Sequence, residues 1–202
     1  MINQPLRRAA LAALASLSLF TSASRGQTIV GTGTSSSFLV IEAGVFGAPL
    51  VFEYRYTETP GLDLDTHVLL TAVDAADPDL EFSFVNFGSD SPSYFLDSIT
   101  YNGTTLTNTP FPDVGPFWFQ SVSGGLAGFP TGEPIASGTW SDGSGLSIPF
   151  RTIQPGSWDG FVYGDFGDYP SIAPVPEVSS LILLWGGLAA VVFFIRRRKR
   201  NA

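Results

Sequence analysis

The sequence predicts an α+β domain that is mainly β, carries one short helix and forms a single compact unit. Three observations predict it. Short apolar runs, some alternating with polar residues, recur from residue 38 to residue 163 and are separated by Gly, Pro, Asn and Asp. Phe, Tyr, Thr, Ser and Gly are abundant, and Lys is absent between residues 27 and 178, which is the composition of a strand-rich extracellular domain. A single stretch has the apolar spacing and the boundary residues of a helix. An all-β sandwich is the alternative, and a sandwich would not need that helix.

The elements follow in order. Phe38–Ile41 is a short apolar strand. In Leu50–Thr57, residues Phe52, Tyr54 and Tyr56 fall on one face, while Glu53, Arg55 and Thr57 fall on the other, where Glu53 and Arg55 are spaced to pair. The helix comes next: Asp65 or Thr66 caps it, Leu69, Leu70, Val73 and Ala76 form its apolar stripe, and Pro78 stops it after Asp77. Glu81–Phe87 returns to strand composition. Tyr94–Tyr101 and Thr104–Thr107 flank Asn102-Gly103, the dipeptide that most favours a tight hairpin. Phe117–Val122 is a further strand. Gly124–Gly138 reads as a long loop bent around Pro130 and Pro134, and Trp140, Leu146–Phe150 and Phe161–Tyr163 supply the last strands. Gly164–Pro176, rich in Gly, Asp and Pro, reads as a tether.

Both ends of the chain read as addresses. Arg7-Arg8, the apolar run Ala9–Phe20 and the small residues Thr21 to Ser24 make residues 1–26 a secretory signal for signal peptidase, because a twelve-residue helix is too short to cross a hydrocarbon core of about 30 Å. At the other end stand Val175, Pro176, Glu177 and Val178. An apolar span over residues 179–195 follows, about 26 Å long as a helix at 1.5 Å per residue. Residues 196–202 open with the basic stop Arg196, Arg197, Arg198, Lys199 and Arg200, which holds the tail in the cytoplasm and places the domain outside the inner membrane. The domains are therefore a signal at 1–26, an extracytoplasmic domain at 27–164, a tether and sorting motif at 165–178, a membrane helix at 179–195 and a basic tail.

This tail resembles the PEP-CTERM sorting signal of diderm bacteria, which joins a Pro-Glu-Pro-like motif, a hydrophobic helix and an Arg-rich end. Pro176 and Glu177 match the first two motif positions, and Val178 stands where the second proline is usual. The resemblance implies an exosortase-like membrane protease as partner, an inner-membrane precursor, and a product at the cell surface or in extracellular matrix beside exopolysaccharide. A looser resemblance links Phe52–Tyr56, the helix opened by Thr66, Phe117-Trp118-Phe119 and the segment Pro155–Phe161 to the β-grasp-like C-terminal domain of cobalamin-transport proteins. It implies a fold and no cobalamin.

Charge narrows the function. Between the two signals Arg55 and Arg151 face all eighteen carboxylates, a formal balance of −16. Such a surface repels nucleic acid and anionic polymers. The chain has no cysteine, which excludes thiolate chemistry and cysteine-held metal. His67 is the only histidine and reads as a surface residue beside Asp63 and Asp65; no recognisable triad or HExxH pattern appears, and Gly31-Thr32-Gly33-Thr34 lacks the lysine of a P-loop. Asp74, Asp77 and Asp79, near Glu81, are the candidate calcium ligands, set against plain acidic surface; no EF-hand spacing is present. Paired carboxylates in a cleft would make a small glycoside hydrolase, the less favoured reading. Trp118, Trp140 and Trp158 are the candidate glycan contacts if two of them lie exposed side by side; otherwise they are core. The favoured expectation is a structural, non-enzymatic surface protein without a cofactor, and a carbohydrate- or calcium-binding module is the alternative.

Overall fold

The computed structural model describes residues 27–88, 93–110, 113, 115–127, 132–148 and 150–175. Both predicted export signals lie outside these residues, as do Pro176, Glu177 and Val178 of the motif.

Alternation along β2 (Ser35–Glu42) and β3 (Leu50–Tyr56) builds an antiparallel pair with Leu39 opposite Phe52 and Ile41 opposite Leu50. One residue set faces inward and the other outward, because successive side chains of a strand point to opposite faces. On the outer face Arg55 Nε lies 2.8 Å from Glu53 Oε1, the expected pair. β1 (Thr28–Gly31) runs parallel to β3 on its far side, so only Thr32, Gly33 and Thr34 carry the chain over the end of β3 into β2. That crossing fixes Gly33: its φ is +154°, and a Cβ there would collide with the Tyr56 backbone.

The rest of the large sheet comes from the second half of the chain. β12 (Trp158–Gly164) lies between β2, to which it is parallel, and β7 (Phe117–Ser123), to which it is antiparallel. β10 (Ser141–Asp142) closes the far edge of β7, opposite Ser121 and Val122 only. The order is β1-β3-β2-β12-β7-β10. A small second sheet joins β8 (Leu126–Ala127), β9 (Glu133–Pro134) and β11 (Arg151–Thr152).

Facing the large sheet are helix α1 (Thr66–Ala76) and the meander β4 (Leu80–Asn86), β5 (Tyr94–Tyr101) and β6 (Thr104–Thr107). Asp65 is the N-cap; its carboxylate accepts from Val68 N at 2.9 Å. Leu69, Leu70 and Val73 are each fully buried, worth about 1.5–3 kcal/mol apiece. They meet Val30, Leu39, Phe52, Leu80, Phe82 and Ile99 in one core. The hairpin tip is tight: Asn102 and Gly103 have φ of +49° and +75°, as a type I′ turn requires.

The molecule is thus mainly β with one short helix. Five local readings change. Trp140 is not in a strand but just before the two-residue β10, and the expected loop over residues 124–138 contributes the short strands β8 and β9. Ala76, placed in the apolar stripe, is exposed: it is the last residue of the helix. In the expected strand Leu146–Phe150, residues 146–148 and 150 are bend and turn: Phe150 N and Arg151 N both return to Ser147 O. The tether is docked as far as Val175. Residues 165–175 fold back over the outer face of the large sheet, where Ser171 N and Oγ donate to Glu42 Oε2 at 2.7 and 2.9 Å. Pro170 packs against Gly160, which has no space for a side chain.

Candidate functional site

The expected site residues fall in three separate places. Trp118 is on the inner face, 6% exposed, with its indole N–H donating to Leu106 O at 2.9 Å. Trp158 is on the outer face, stacked on Phe38 at 4.4 Å and 8% exposed. Trp140 meets Trp158 edge-on at 6.5 Å. The docked strap covers both: Trp140 Nε1 donates to Ile172 O at 3.0 Å and Trp158 Nε1 to Val175 O at 3.2 Å. The three tryptophans therefore form no exposed stacking surface; they are anchors whose polar ends are spent on the backbone.

The acidic cluster does not converge either. Asp77 is the C-cap of α1, and its carboxylate accepts from Asp79 N at 3.1 Å, a local turn. Partial burial, reinforced by the Glu81 charge, raises the Asp74 carboxyl above its usual range. Among the described residues no three His, Asp or Glu side chains are grouped to hold a metal ion. His67 is stacked on Tyr94 at 3.8 Å and edge-on to Phe84 at 4.7 Å. Burial lowers its pKa, against the opposing pull of Asp65.

Arg151 and Asp159, neither of which the sequence singles out as a pair, form the most enclosed polar cluster described. Both side chains are 0% exposed. Arg151 grips the carboxylate with Nη2 at 2.8 Å from Oδ2 and Nε at 3.1 Å from Oδ1. Thr66 Oγ1 donates to Oδ1 at 2.6 Å and Gln120 Nε2 at 3.3 Å. The guanidinium spends its other N–H groups on Gly124 O at 2.7 Å and Trp158 O at 3.2 Å. One ion pair thus ties β12 to the start of α1, to β7 and to the turn before β8. Its partners are internal and water does not reach it, so it holds the fold and offers no reactive group to a substrate.

Two openings stand out among the described residues. An open groove of about 280 Å³ lies between residues 56–64 and 152–155, with Glu58 and Asp63 among its lining. Glu58 already accepts from Ser35 Oγ at 2.6 Å. A larger cleft of about 340 Å³ separates the β5 side of the meander from β7. Phe95, Leu96 and Leu146 line one side and Phe117, Phe119 and Phe166 the other. Phe95 and Phe166 are 41% and 75% exposed. Phe117 and Phe166 each meet Phe119 at steep angles, 72° and 67°. Phe117 and Phe119 lie on the face of β7 opposite Trp118; the strap that covers Trp140 and Trp158 is invisible to strand periodicity.

No family model, no curated protein and no solved structure matches this chain.

Proposed function

We propose that this chain is the precursor of an exported, non-enzymatic surface or matrix protein, freed from an N-terminal signal and handed at its C-terminal end to an exosortase-like protease. The observation that carries this reading is the fixed order of Val175-Pro176-Glu177-Val178, an apolar run and Arg196-Arg197-Arg198-Lys199-Arg200. The geometry near Val175 supports it. Val175 is 59% exposed while its carbonyl is held by Trp158, so the docked strap reaches the first residue of the motif. Only residues 176–178 then stand between the domain and the expected span. That spacing sets the domain against the membrane, within reach of a membrane-embedded protease. Association with exopolysaccharide follows from the same reading. For the finer fold we favour the β-grasp-like description over a sandwich: one helix packs on a mixed sheet with parallel pairs, β1–β3 and β2–β12, whereas sandwiches are antiparallel.

Intact-mass spectrometry of protein recovered outside the inner membrane tests the reading. The expected product lacks the first 23 to 26 residues and the arginine tail. Replacing Pro176 and Glu177 with alanine is expected to retain the protein in the inner membrane. A native product that still ends at Ala202 overturns the sorting claim, and one that keeps Met1 overturns signal removal.

A further inference from the structure

No substrate reaches the Arg151–Asp159 cluster, yet it holds a nucleophile and an electrophile of its own. Thr66 opens α1, Gln120 belongs to β7 and Asp159 to β12, and their side chains meet at one atom. Asp159 Oδ1 accepts from Thr66 Oγ1 at 2.6 Å and from Gln120 Nε2 at 3.3 Å. Thr66 and Asp159 are fully buried. A hydroxyl that donates to a carboxylate over so short a distance has the arrangement of a nucleophile with its base. Arg151 supplies the third group of such a set: with Nε on Oδ1 and Nη2 on Oδ2, it fixes how the base is turned.

The electrophile is prepared too. Gln120 Oε1 accepts from Gly145 N at 3.1 Å, a donor placed where an attack on the carboxamide carbon would put negative charge. Gly145 N can only donate and the Asp159 carboxylate accepts, so these two partners set which end of the amide is nitrogen. Gly143 packs so closely on the carboxamide that a Cβ there would stand 2.6 Å from Gln120 Cδ. Gln120, Gly143 and Gly145 also line the cleft beside β7, so a small leaving group has a way out.

We propose that Thr66 and Gln120 join in an ester, an internal cross-link that the folded domain makes by itself. The carboxamide turns from Oδ1 toward Thr66. Thr66 Oγ1 attacks Gln120 Cδ while Asp159 takes the hydroxyl proton. The tetrahedral carbon then expels the amide nitrogen, and Asp159 returns the proton to it. One hydroxyl and one carboxamide thus become one ester and one ammonia; Asp159 ends as it began, and no co-reactant enters. Burial of the hydroxyl and its base keeps water from competing for the same carbon. The link would staple α1 to β7 in a chain that has no cysteine to do so. Nothing in this reading depends on the sorting proposal, because it uses only the folded domain.

Mass spectrometry of the full chain, purified in detergent and unfolded before measurement, tests it. Once the observed termini are accounted for, the mass is expected to fall short of the sequence by one ammonia. A protease digest should contain one branched peptide joining residue 66 to residue 120, and neutral hydroxylamine, which opens esters, should split it. Cyclisation of Gln27 as a new N-terminus also loses ammonia, but that loss maps to the first peptide and survives hydroxylamine. Thr66→Ser keeps a hydroxyl and is expected to keep the link, whereas Thr66→Val is expected to lose it. If Thr66→Val fails to fold, the parent chain and Thr66→Ser still decide, because both are read through the branched peptide. The proposal is overturned if the folded parent chain shows an unlinked Thr66 and an intact Gln120 carboxamide, or if the lost ammonia maps elsewhere. It is equally overturned if Gln120 is hydrolysed to glutamate without a link, or if Thr66→Val retains the branched peptide.

Discussion

Arg151 and Asp159 show how one acidic domain uses a scarce cation. Removing two charges from water is costly, and this pair offsets the cost because each of its buried nitrogen and oxygen atoms has a hydrogen-bond partner. Truncating one side is therefore expensive: Arg151→Met should destabilise by about 3–5 kcal/mol, since it strands a buried carboxylate. A double variant, Arg151→Met with Asp159→Leu, should regain much of that loss, because neither charge is then left alone. Urea unfolding of the two variants beside the parent protein checks both outcomes. A double variant as unstable as the single one would mean that Thr66 and Gln120, rather than the ion pair, carry the cluster.

Helix α1 is the element that the sequence reveals most fully. Its cap at Asp65, its stop before Pro78 and three of its four stripe residues are local signals, and all are found in place. Leu70→Ala is expected to cost about 2–5 kcal/mol, measured as a shift in the urea midpoint, because the side chain is fully buried against the sheet. Strands with clear alternation or a hairpin turn, such as β3 and β5–β6, are equally legible, down to the pair Glu53–Arg55. What the sequence hides depends on distant partners. β1 is four residues with a single buried position, Val30, and exists because β3 offers it an edge. Residues 146–148 and 150 have strand composition but lie where Ser147 O draws the chain into a turn. The cleft is hidden for the same reason: Phe95 and Phe166 are 71 positions apart in the chain, and no local pattern joins them.

At the scale of the whole molecule the strap of residues 165–175 decides which aromatic residues meet solvent. It covers Trp158, leaves Trp140 half-buried and leaves Phe166 exposed. A chain ended at residue 164 should lose about 2 kcal/mol from the two indole hydrogen bonds alone. Its tryptophan emission should also shift to the red, and an unshifted spectrum would mean that the strap does not cover the rings in solution. The placement of β12 has a different consequence. The strand at the middle of the large sheet is the last one made, and until it arrives β2 and β7 are two raw edges with nothing between them. A chain that emerges N-terminus first, from a ribosome or through a secretion channel, therefore holds two half-sheets open until residue 164 is free. Folding of this domain is then a single late event timed by its own C-terminal end, and the interval before it is when the chain most needs shielding from its neighbours.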